Sequence, residues 1–108
     1  MIEIEAVLDD FGVLRACKAS GHSGAGKAGN DIVCAAVSVL LRTAFSTLSN
    51  RNGITVQGEA PEKGQFWLKA DYNADGKGFL FAVGAFLIEG LNSIAQEYPK
   101  NCKFVVVT

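Results

Sequence analysis

Asp31-Ile32-Val33-Cys34-Ala35-Ala36-Val37-Ser38-Val39-Leu40, continued by an apolar-rich run to Ser49, is the stretch on which the fold turns. Val33, Val37, Leu40, Ala44 and Leu48 recur at helical spacing, which gives a helix one apolar face. Asn30 or Asp31 is the expected N-cap, because a short side-chain oxygen can accept an unpaired amide of the first turn. The pattern predicts a helix from there to about Ser49, ended by the turn Asn50-Arg51-Asn52-Gly53.

Upstream, Gly21 to Gly29 holds four glycines and excludes regular structure. Before it, Ile2, Ile4, Ala6 and Leu8 alternate with Glu3, Glu5 and Val7, the period of a strand. Asp9-Asp10-Phe11-Gly12 is turn chemistry, and Val13 to Ala19 reads as the returning strand. Downstream, Ile54–Gly58 and Gln65–Asp71 predict a second hairpin joined through Pro61 and Gly64. A loop rich in Asp, Asn and Gly, with Asp as the expected cap, leads to a helix from about Phe79 to Glu97, stopped by Pro99. Phe104–Val107 closes the chain as a strand. The order ββαββαβ predicts an α+β two-layer sandwich, two helices on a mixed five-stranded sheet, as one domain over residues 1–108.

Leu80, Val83, Leu87, Leu91 and Ile94 form one stripe of the second helix, and Phe79, Phe86 and Ile88 lie partly off it. A domain this small has limited interior, so the surplus predicts a self-association face and a homodimer.

The apolar fraction of 49% suffices for a core, and a net charge of −1 offers no basic footprint for nucleic acid. Met1-Ile2-Glu3-Ile4-Glu5 lacks the basic start and continuous apolar run of an export signal. The apolar segment Phe79 to Leu91 is short for a bilayer span and contains Glu89. Three cysteines without CxxC spacing suit a reducing compartment. A cytoplasmic protein without membrane attachment is expected.

Three motifs mislead. Gly21 to Ala28 nearly spells a phosphate loop, but Ala28 stands where Ser or Thr would hold Mg²⁺, and no βαβ unit surrounds it. Gly24, Gly26 and Gly29 satisfy GxGxxG without a following acidic strand end. Asp71, Asn73, Asp75 and Gly76 open like a calcium loop whose twelfth position is Ala82 instead of Glu.

The chemistry rests on Cys34. A thiol attacks as thiolate, and a pKa of about 8.5 leaves little thiolate at neutral pH. A helix start and an imidazolium both lower that value, and the sequence offers both. Cys34 is expected in the first turn of its helix, and His22, the single histidine, sits twelve residues earlier on the glycine-rich segment. Asp31 is either a cap or a carboxylate that orients the imidazole, and Ser38 is a polar neighbour one turn on. Cys17 and Cys102 read as small core residues.

Gly21-His22 together with Gly29-Asn30-Asp31-Ile32-Val33-Cys34-Ala35-Ala36-Val37-Ser38 resembles the signature of the ribosomal-processing cysteine proteases, the Prp family. The resemblance implies His22 and Cys34 as catalytic residues, with the motif aspartate at Asp31. It implies a homodimer that removes a short N-terminal extension, ending in bulky apolar residues, from the precursor of a large-subunit ribosomal protein. It implies no cofactor and no metal. Two other classes compete: a non-catalytic ribosome-assembly or adaptor dimer, and a nucleotide-binding protein using Lys27. Selective alkylation of Cys34 below pH 7, slowed by His22→Ala, marks the protease; stabilisation by ATP marks the nucleotide binder.

Overall fold

The computed structural model describes residues 1–21, 28–61 and 64–108, with backbone alone for 28–31. The chain runs β1 (Ile2–Leu8), β2 (Leu14–Gly21), α1 (Ala28–Leu48), β3 (Ile54–Glu59), β4 (Gln65–Tyr72), α2 (Lys77–Glu97) and β5 (Cys102–Val107). The order is the one the sequence predicts.

Alternation in β1 buries Ile2, Ile4 and Ala6 and leaves Glu3 in solvent. The first hairpin closes because Asp9 Oδ1 accepts the amides of Phe11 and Val13, at 2.9 and 3.0 Å, while Gly12 takes φ +77°. The sheet order is β3-β4-β2-β1-β5. β1 pairs antiparallel with β2 and parallel with β5, placing Ile2 opposite both Gly21 and Cys102. The sheet is therefore mixed.

Ile4, Ala6, Cys17, Ala19 and Leu68 share one core with residues from both helices, including Val37, Leu41 and Leu87. The buried stripe of α1 is Val33, Val37, Leu41, Ala44 and Leu48, with Leu41 where the spacing suggested Leu40. Both sets of steps fit a 3.6-residue turn equally well, so packing against the neighbouring elements and not spacing selects Leu41. Leu40 packs sideways instead: a Cβ on Gly90 of α2 would lie 3.0 Å from its Cδ1. Gly84 admits Leu14 in the same way, at 2.8 Å.

Three expectations are corrected. Helix α1 begins at Ala28, so Asn30 and Asp31 lie inside its first turn and neither is the N-cap. Alanine is the best helix former, and Asp is also favoured in a first turn by the helix dipole, so the same residues fit one turn deeper. Helix α2 begins at Lys77, and its N-cap is Gly76, with no side-chain cap. A Cβ at Gly76 would meet the Gly53 carbonyl oxygen at 2.2 Å, so close backbone approach decides that position. Finally, α2 runs 21 residues with a mean hydropathy of 1.6, long and apolar enough by length and composition to cross a bilayer. Here its Leu80, Gly84, Leu87 and Leu91 face is buried.

Of the surplus apolar residues on α2, Phe86 is 76% exposed. Phe79 and Ile88 are half-buried, Phe79 beneath the Arg51 guanidinium at 3.6 Å.

Candidate active site

Of the three cysteines, two belong to the core. Cys17 is 1% exposed, and burial pushes its thiol up to about 12. Cys102 is 2% exposed and shifted upward for the same reason. Burial disfavours the thiolate of both. Cys34 is half-buried and opens onto a cleft of about 480 Å³.

That cleft lies between α1 and one end of the sheet, where β1 and β4 begin and β2 ends. Its apolar wall includes Ile2, Ala19, Val37, Leu41 and Phe66. Cys34, Ser38 and Arg42, spaced four apart on α1, line it together. Gly21 lines it from the end of β2, at φ +101° and with the Met1 carbonyl oxygen 2.4 Å from where a Cβ would stand. Only glycine fits there, and the chain leaves β2 at this point toward residue 22.

The site residues expected from sequence fall into two groups. Cys34 and Ser38 share the cleft wall. His22, with the rest of segment 22–27, lies outside the described residues, as does the side chain of Asp31. Cys34 stands elsewhere on its helix than expected. With α1 starting at Ala28 it is the seventh helical residue, beyond the first turn. Its amide belongs to the internal i→i−4 ladder, and the helix dipole acts mainly within the first turn. The Cys34 amide is thus no donor for a substrate oxyanion, and the helix start contributes less to activating the thiol than the sequence suggested.

Arg42 was missed by sequence reasoning, although its i+8 spacing from Cys34 was the available signal. It is the only charged side chain among the described residues that line the cleft.

A half-buried thiol in an open apolar cleft suits nucleophilic attack on a peptide whose apolar side chains fill the groove. The chain resembles solved structures along its whole length. It superposes on SMU.848 from Streptococcus mutans with a TM-score of 0.82 and 24% identity, covering 100% of this chain and 95% of the other. It superposes on the essential ribosomal processing protease Prp from S. aureus, solved with a substrate peptide, with a TM-score of 0.81 and 20% identity, covering 98% and 99%. The same S. aureus protein with a covalently linked product peptide gives the same figures. At these identities the likeness establishes the fold. Among curated proteins none matches the chain. The family model described as cysteine protease Prp matches residues 1–103, nearly the full sequence. With that match added to a cleft that singles out one accessible thiol of three, the chain belongs to the Prp family of cysteine proteases.

Proposed function

We propose that this protease removes a short N-terminal extension from the precursor of a large-subunit ribosomal protein, with Cys34 as nucleophile and His22 as its base. One observation carries the reading: Cys34 and Gly21, the residue directly before His22, line the same apolar cleft. Residue 22 follows Gly21 directly, its Cα about 3.8 Å on, which supports His22 as the base. The S. aureus relative, described as a ribosomal processing protease and solved with a covalently linked product peptide, supports the substrate class and a covalent intermediate.

In this scheme the Cys34 thiolate attacks the scissile carbonyl carbon, and His22 gives its proton to the departing amine as the C–N bond breaks. Water, losing a proton to His22, then cleaves the thioester and restores the thiol. Asp31 orients the imidazole, and Ser38 is a polar neighbour of the reacting carbonyl. Because the Cys34 amide is committed to α1, the oxyanion takes its donors from the glycine-rich segment. The apolar wall of Val37, Leu41 and Phe66 receives the bulky residues preceding the scissile bond. The protein works as a cytoplasmic homodimer, with exposed Phe86 on the association face.

The test is incubation of wild-type, Cys34→Ala and His22→Ala protein with the precursor ribosomal protein, followed by product mass. Wild-type protein is expected to yield one shortened product, and both variants none. Equal cleavage by Cys34→Ala overturns the reading.

A further inference from the structure

The two edges of the sheet are β3 and β5, and they are guarded unequally. β3 exposes Thr55, Gln57 and Glu59, and at Gly58 a Cβ would lie 2.9 Å from the Phe45 ring. Polar side chains and a glycine make that edge a poor template for another strand. β5 reads Cys102-Lys103-Phe104-Val105-Val106-Val107, with Lys103 its one charge. Val105 and Val107 lie beside Glu5 and Val7 on the open face of the sheet, and Val106 beside buried Ala6 on the face that carries the helices. Val105, Val106 and Val107 are exposed by 41, 42 and 41%, so neither face of the strand is covered at this end.

Among the described residues no strand pairs with the outer side of β5. Every second residue there turns its N–H and C=O outward, and an extended backbone is what satisfies such a row. Phe104 to Val107 combines high β propensity with no charge and no proline, the composition of a strand that pairs with its own kind. Because β3 is guarded, the edge on this molecule that best fits β5 is the β5 of a second copy. Such a contact is isologous: a two-fold axis normal to the sheet runs the strands antiparallel and closes the assembly at two copies. Pairing Val105 with its own counterpart sets Phe104 opposite Val106 and Lys103 opposite Val107. The two lysines then stand four residues apart along the ladder, about 13 Å, and do not oppose each other.

We infer that the β5 edge is a self-association site, at which two copies pair β5 antiparallel about Val105 and join their sheets edge to edge. The contact uses neither the Cys34 cleft nor Phe86, so it is separate from the association face on α2.

Analytical ultracentrifugation of Phe86→Asp protein, in which the α2 face carries a charge, isolates this contact. The mass is expected to rise from monomer toward dimer between about 10 and 500 µM, the range of a small, transient interface. Adding Val105→Lys sets two ammonium groups opposite each other and is expected to weaken the dimer at least about tenfold, with circular dichroism unchanged. Amide exchange of residues 104–107 in Phe86→Asp protein is expected to slow as concentration rises, with α2 unaffected. A mass that stays monomeric across the range overturns the inference, as does a dimer indifferent to Val105→Lys. A dimer without added protection at residues 104–107 places the contact elsewhere and overturns it too. Species larger than a dimer also count against it, because this pairing closes at two copies.

Discussion

The carbonyl oxygen of Met1 lies 2.4 Å from the point where a Cβ on Gly21 would stand, so the first residue and the end of β2 hold each other at the rim of the cleft. Gly21→Ala must push them apart and also hold alanine at φ +101°, a strain of about 1–3 kcal/mol. The expected result is a lowered melting temperature, read by calorimetry. A loss of kcat/KM greater than tenfold is expected with it, because the chain reaches His22 through this residue.

Thiol accessibility separates the cysteines. Native protein treated with iodoacetamide at pH 8 should gain one adduct, at Cys34. With its thiol at about 12, Cys17 holds roughly one thiolate in ten thousand at that pH, and burial blocks the reagent besides. Peptide mapping checks it. Early labelling of Cys17 or Cys102 in folded protein would contradict the core placement of those residues.

A polar cluster at the far end of the sheet sets a pH dependence. The Tyr72 hydroxyl donates to Asp9 Oδ2, and with the amides of Val13 and Phe11 and nearby Arg15 it holds the Asp9 carboxyl below its usual value. The same bond raises the Tyr72 hydroxyl above its own. Lowered in the folded state, Asp9 stabilises the fold above the unfolded carboxylate pKa and loses that contribution as pH falls through the folded value. Tyr72 acts in the opposite sense, contributing below the unfolded phenol pKa and losing it as pH rises through the folded one. Thermal melts from pH 2 to 5 are expected to show a shallower acid dependence in Asp9→Asn. From pH 9.5 to 11, Tyr72→Phe is expected to flatten the alkaline limb.

Two glycines on α2 should respond differently to alanine. Each gains about 1 kcal/mol of helix propensity from the exchange. At Gly84 the new methyl meets Leu14 Cβ at 2.8 Å, an atom tied to the backbone of β2, and overpacking of about 1–3 kcal/mol outweighs the gain. At Gly90 it meets the flexible end of Leu40 at 3.0 Å, which can turn aside. Urea denaturation should find Gly84→Ala destabilised and Gly90→Ala within about 0.5 kcal/mol of wild type.

Elements whose burial follows a simple period were legible in the sequence. Ile2, Ile4 and Ala6 announce β1 because one sheet face is covered, and the turn at Asp9–Gly12 follows from side-chain acceptors and a left-handed glycine. Features set by a partner element were not. Asp31 satisfies a cap and a first helical turn equally well, so the start of α1 was placed three residues late and Cys34 too near the helix end. Gly76 caps α2 because Gly53 passes close by, a contact between residues 23 positions apart. Arg42 enters the cleft only because β4 and the β3–β4 connection close it opposite α1, which no local pattern encodes.

The parallel pairing of β1 with β5 carries a consequence for biosynthesis. Ile2, a wall residue of the cleft, is clasped on its outer side by Cys102, and its amide donates to the Asn101 carbonyl at 2.9 Å. That wall of the cleft is complete only once β5 has been made and has paired with β1, a contact between residues 100 positions apart that closes late in folding.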